Sequence, residues 1–206
     1  MQRKTQTGYL VLADISGYTS FVAQTEIEHA GMALSYLLET IVEKLDDLLV
    51  IAKLEGDAVF AYIEESRLED CKLLLDLIDE TYRAFRDKAL SLFEQATCPC
   101  RACLALPTLD LKFVLHHGDF VLQQVAGIRD LLGTDVNLIH RLLKNGVSES
   151  TGWKGYAVFT DPALQHMQCN RDIFFKRNES YEHLGDVDIY CMDMHARYDE
   201  MKNDST

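Results

Sequence analysis

The chain has 206 residues, 48% of them hydrophobic and 26% charged, the balance of a soluble globular protein with a substantial core. Its formal net charge of −13 argues against a nucleic-acid-binding surface, which needs clustered Lys and Arg. Met1-Gln2-Arg3-Lys4 is followed by no long apolar core, and no apolar run is long enough to span a membrane, so a cytoplasmic protein is expected.

The run Tyr9 to Ala13 reads as a first strand, ending on Asp14 and a turn at Ser16-Gly17. Thr19 or Ser20 is positioned to cap a helix. From His29 to Leu49 the apolar residues Met32, Leu34, Leu37, Leu38, Ile41, Val42, Leu45 and Leu48 recur at helical spacing. Val50 to Lys53 and Ala58 to Ile63 read as a strand pair turning near Glu55-Gly56. Leu68 to Phe93 is a second amphipathic helix.

A cysteine-bearing loop follows. Leu109 to His117 reads as a strand, with Phe120 to Val125 as its return partner past Gly118. Val136 to Leu143 is helical, Tyr156 to Phe159 is a short strand, and Asp161-Pro162 opens another helix. Ile173 to Lys176 and Val187 to Met192 complete the sheet. Residues 1–195 are expected to form a single domain, with 196–206 a polar, frayed tail. This order predicts an α/β sandwich with a mixed or antiparallel sheet.

Asp14 and Asp57 each adjoin an apolar, strand-like run. Asp is disfavoured in strands and needs a partner there. Taken singly, each reads as a turn or helix cap. Brought together, they could hold one or two hard cations with a phosphate ligand.

Three segments combine: Ala13-Asp14-Ile15-Ser16-Gly17-Tyr18-Thr19, Lys53-Leu54-Glu55-Gly56-Asp57, and Asp130 through Gly133-Thr134-Asp135-Val136-Asn137 to His140-Arg141. In order and separation they resemble the class III adenylyl and guanylyl cyclases, from about Tyr9 to Leu143. The resemblance implies a ferredoxin-like α/β (α+β) sandwich. It implies that Asp14, Asp57 and the carbonyl of Ile15 bind two Mg or Mn ions, and that the turn Ser16, Gly17, Tyr18, Thr19 holds the triphosphate. Asn137 and Arg141, four apart on one helix face, would orient the ribose and stabilise charge on the reacting phosphate. Lys53 and Asp130 would read adenine, favouring ATP over GTP.

The implied activity is conversion of ATP to cyclic AMP and pyrophosphate at a homodimer interface. Asp14 and Asp57 would come from one subunit, and Lys53, Asp130, Asn137 and Arg141 from the other. One departure keeps a nucleotide-binding module without turnover as the alternative. The family's phosphate-binding Lys before the final strand has no counterpart in Tyr181 to Asp186, although Lys176 and Arg177 lie upstream and His183 within.

Cys98-Pro99-Cys100-Arg101-Ala102-Cys103 is foreign to that family. Cys98, Cys100 and Cys103 could supply three ligands of a tetrahedral zinc site, the fourth drawn from Cys71, Cys169, His116 or His117. The alternative is three reduced thiols or a redox-labile pair. A third reading of the whole chain is a metal or redox sensor of cyclase fold built on this loop.

Overall fold

The computed structural model describes residues 4–70 and 72–204. The chain opens with β1 (Thr5–Ser16), α1 (Tyr18–Gln24) and α2 (Ile27–Asp46), then the hairpin β2 (Val50–Glu55) and β3 (Ala58–Glu64). It continues with α3 (Leu73–Gln95), α4 (Arg101–Ala105), β4 (Asp110–Val125), β5 (Ile128–Leu132), α5 (Thr134–Leu142) and α6 (Val147–Thr151). It ends with β6 (Tyr156–Thr160), α7 (Asp161–His166), β7 (Phe175–Tyr181), β8 (Gly185–Asp193) and α8 (Met194–Asp204).

The strands form one mixed sheet in the order β2-β3-β1-β4-β6-β8-β7, with β5 added to the far half of β4. β4 and β6 run parallel, and the remaining pairings are antiparallel. Strand periodicity divides β1 between two faces. Tyr9, Val11, Ala13 and Ile15 join a core with Leu34, Leu37, Ile41 and Leu45 of α2 and Leu74, Ile78, Tyr82 and Phe85 of α3. Leu10 and Leu12 join the other core, with Phe60, Val114 and Val136, Ile139 and Leu142 of α5. Asp14 continues the Leu10–Leu12 series and so belongs to the α5 side.

Four local expectations are corrected. First, Gly118 makes no turn. β4 runs through it, opposite Gly8 of β1, and the return partner of residues 121–125 is β5. Gly is required by close approach instead: a Cβ on Gly118 would lie 2.4 Å from Asp135 Oδ2. Asp135 accepts a hydrogen bond from the Asp119 amide at 2.7 Å, and its other oxygen lies 3.3 Å from His116 Nε2. His116, together with that amide, holds the Asp135 carboxyl below the usual range. This docks the start of α5 onto β4.

Second, the segment after His195 is helical. Met194 and Tyr198 of α8 are buried. Arg197 grips Asp79 of α3 through Nε (3.0 Å) and Nη2 (2.7 Å), and Tyr198 donates to Asp87 at 2.6 Å. Third, the cysteine loop contains α4. Fourth, Gly17, not Thr19 or Ser20, is the N-cap of α1, in the left-handed region at φ 89°. Among the described residues, no helix is long and apolar enough to cross a membrane.

Candidate active site

The turn between β2 and β3 carries Asp57, and pairing of β1 with β3 sets Asp14 opposite Ala58. The Ile15 amide donates to the Asp57 carbonyl at 3.2 Å, which locks the strand end to the turn. Burial pushes the Asp57 carboxyl up, and the charge of Asp14 pushes it further. Lys112 lies opposite Asp14 in the β1–β4 register and reaches Asp14 Oδ2 at 2.9 Å. Its ammonium also lies 3.5 Å from the Leu143 carbonyl, just past α5. Sequence reading missed Lys112. The available signal was a lone cation between Leu111 and Phe113, both fully buried.

Beyond Asp14, Ser16 and Gly17 line a cleft of about 350 Å³ together with Ser20, Gln24, Ala105 and Lys154. Tyr18 packs against the core instead, and Thr19 is exposed and outside the cleft lining. Lys154, in the loop before β6, is a cation that sequence reading did not single out.

The Lys53 and Asp130 side chains meet across β2 and β5, with Nζ 3.2 Å from Oδ1. Lys53 Nζ also lies 2.8 Å from Glu55 Oε1, and Glu55 Oε2 lies 3.0 Å from His140 Nε2 of α5. The His140 ring stands edge-on to Phe60 at 4.9 Å. Hydrogen bonding to Glu55, reinforced by Asp130, holds the Lys53 ammonium above its ordinary range. Glu55 and His140 were therefore missed members of this network. Their signal was adjacency to Lys53 and Arg141 in the matched segments.

Asn137 and Arg141 lie on the exposed face of α5, opposite Val136, Ile139 and Leu142. Neither side chain makes a hydrogen bond or ion pair within the described residues. The stretch Tyr181 to Gly185 is the β7–β8 turn. His183 there is almost fully exposed beside Glu182. Upstream, Lys176 pairs with Asp188 at 2.7 Å and Arg177 with Glu179.

Two further clusters could coordinate a metal ion. Cys98, Cys100 and Cys103 converge with His29 of α2. The expected fourth ligands are thereby corrected. His116 Nδ1 contacts Thr160 Oγ1 at 2.8 Å, and the Cys169 thiol lies beside the Met167 carbonyl. His117 is in the second cluster with Glu65 and His166, its ring stacked on His166 at 3.7 Å. Burial, then the charge of His166, lowers the His117 pKa. Cys71 lies outside the described residues.

The fold is that of the class III nucleotidyl cyclase catalytic domains. Adenylyl cyclase CyaB from P. aeruginosa superposes with a TM-score of 0.69 at 16% identity, over 93% of this chain and 95% of that one. The guanylyl cyclase Cya2 gives 0.71 at 14% identity, over 93% of each chain. By sequence, the chain belongs to the family described as protein of unknown function DUF2652, whose model matches residues 34–151. A relative, uncharacterized protein Rv2561/Rv2562 of Mycobacterium tuberculosis, is 28% identical over 162 residues, spanning 78% of this chain and 73% of that protein.

Proposed function

We propose that this protein is a metal-dependent adenylyl cyclase that converts ATP to cyclic AMP and pyrophosphate at sites shared by two copies of the chain. The observation that carries this reading is the Asp14–Asp57 pair at the end of β1. Two like charges converge there, and burial and Asp14 together raise the Asp57 pKa. A pair of hard oxygen donors under mutual repulsion is suited to divalent cations. Lys112, 2.9 Å from Asp14, offsets part of that charge.

Asp14, Asp57 and the Ile15 carbonyl would hold Mg²⁺ or Mn²⁺. When bound, such ions lower the pKa of the ribose hydroxyl and neutralise the polyphosphate. The turn at Ser16-Gly17 offers backbone amides to the phosphates. Lys154, lining the same cleft, supplies the cationic charge that the β7–β8 turn lacks. Arg141, without a partner among the described residues, would meet charge developing on the α-phosphate, and Asn137 would orient the ribose. Lys53 donates to ring nitrogens of adenine, and Asp130 accepts from its amino group. Glu55 and His140 hold Lys53 in place for that task.

A second reading, a nucleotide-binding module without turnover, is favoured by Lys53 being bound to two carboxylates and by the turn without Lys. One experiment separates them. The purified chain is incubated with ATP or GTP and Mg²⁺ or Mn²⁺, and cyclic product and nucleotide binding are both measured. Cyclic AMP that is lost in Asp14→Ala supports the cyclase. Metal-dependent binding without product supports the second reading. Neither binding nor product removes both.

A further inference from the structure

We infer that His29, Cys98, Cys100 and Cys103 form a closed tetrahedral zinc site that fastens the α3–β4 connection to the first turn of α2. The four ligand atoms all lie within 4.8 Å of one another. His29 Nδ1 is 3.2 Å from Cys100 Sγ and 3.3 Å from Cys98 Sγ. Cys98 Sγ is also 3.3 Å from both Cys100 Sγ and Cys103 Sγ. Zinc bonds of about 2.3 Å to sulfur and about 2.0–2.1 Å to nitrogen set ligand atoms roughly 3.5–3.8 Å apart in a tetrahedron. The four pairs at 3.2–3.3 Å need open by only a few tenths of an ångström, and the remaining pairs already lie within 4.8 Å.

A disulfide accounts for less. It would join two sulfurs, leave the third unused, and give no reason for an imidazole nitrogen against two of them. Three thiolates and one imidazole are a donor set for tetrahedral zinc, and four protein ligands leave no position open for substrate. The site is therefore structural. On binding, Zn²⁺ takes electron pairs from three sulfurs and one ring nitrogen. Thiol protons leave to solvent and no oxidation state changes.

The surroundings support the same geometry. The Cys103 amide donates to Cys100 Sγ at 3.4 Å, and the Ala102 amide donates to Glu26 Oε2 at 3.1 Å. Glu26 and His29 thus hold α4 from the same end of α2. Ala105, at the end of α4, and Thr108 line the cleft that Ser16 and Gly17 border. Zinc would therefore brace one wall of that cleft. This inference stands whether or not the cleft takes a nucleotide.

The test is metal content of the full chain purified under reducing conditions, followed by exchange with Co²⁺. One zinc per chain is expected, with a cobalt spectrum showing thiolate charge transfer and the intense ligand-field bands of a tetrahedral site. His29→Ala and Cys103→Ser should each weaken zinc binding at least as much as the roughly 10–100-fold lost with outer-shell partners. His29→Cys should restore zinc with an altered cobalt spectrum. Cys169→Ser and His117→Gln should keep full zinc, which separates this site from the Glu65–His117–His166 cluster. An octahedral cobalt spectrum would overturn the assignment. So would zinc content indifferent to both ligand variants, or metal-free protein with an intramolecular disulfide.

Discussion

The surroundings of Asp57 oppose its negative charge, through burial and then the charge of Asp14. Its raised pKa means that the folded chain holds the proton more tightly than the unfolded one. The carboxylate form therefore penalises folding. The penalty grows as pH rises through the ordinary carboxylate range and persists above it. Asp57→Asn should accordingly raise the melting temperature of metal-free protein at pH 7, with the difference vanishing at a pH below that range. Added Mg²⁺ or Mn²⁺ should stabilise the wild type and leave the variant unchanged, because a bound ligand stabilises only the state that binds it. Thermal melts in chelator and in metal, at both pH values, check this. Lower stability of the variant at pH 7 without metal would contradict the repulsion.

Element placement shows what local sequence signals can and cannot carry. The buried stripes of α2 and α3 are strong periodic signals, the short continuous apolar runs of β1 and β3 are strand signals, and these elements form in the expected places. Gly118 punctuates an apolar run, and Gly in such a run reads as a turn. Here its cause is the carboxylate of Asp135, distant along the chain. α8 escaped notice because few of its residues are apolar and its anchors are polar contacts to α3, visible only in three dimensions. His29 lies 69 residues before Cys98, outside any local spacing rule.

Two predictions belong to the element scale. Asp135→Asn should loosen α5 and cost about 1–2 kcal/mol at neutral pH, as for loss of a hydrogen bond to a charged group at a partly exposed site. The Asp135 pKa is lowered, so its stabilisation is present above the unfolded value and lost as pH falls through the folded one. The variant's deficit should therefore shrink in acid, measured by denaturant unfolding across pH. Arg197→Ala would leave Asp79, 6% exposed, without its guanidinium partner. A loss of about 1–3 kcal/mol is expected, with faster amide exchange along α8. Unchanged exchange would mean that α8 does not depend on this pair.

At the scale of the whole molecule, the proposed function asks a chain of net charge −13 to hold a polyanion. Lys112 and Lys154 supply local positive charge, but metal must supply the rest, so chelator should abolish nucleotide binding. The carboxylates and the Ser16-Gly17 turn sit at one end of β1, while Lys53, two residues before Glu55, points to Asp130. On the proposed reading, a nucleotide contacted at its phosphates and its base is shared by two chains. The candidate motif residues could be named from sequence because they fall within short segments. The cations near them were not, since Lys112 reaches Asp14 from β4 and Lys154 lines the Ser16–Gly17 cleft from the loop before β6.

Complementation tests the shared site most directly. An Asp14→Ala chain and an Arg141→Ala chain are each assayed alone, then mixed, with the mixed dimer verified by tagged purification. Each homodimer lacks one essential group at both sites, and loss of a charge-stabilising group costs roughly 10²–10³ in rate. The mixed dimer should regain one intact site and form cyclic AMP well above either parent. Activity from monomeric wild-type protein, or no rescue in the verified mixed dimer of an active enzyme, would contradict the account.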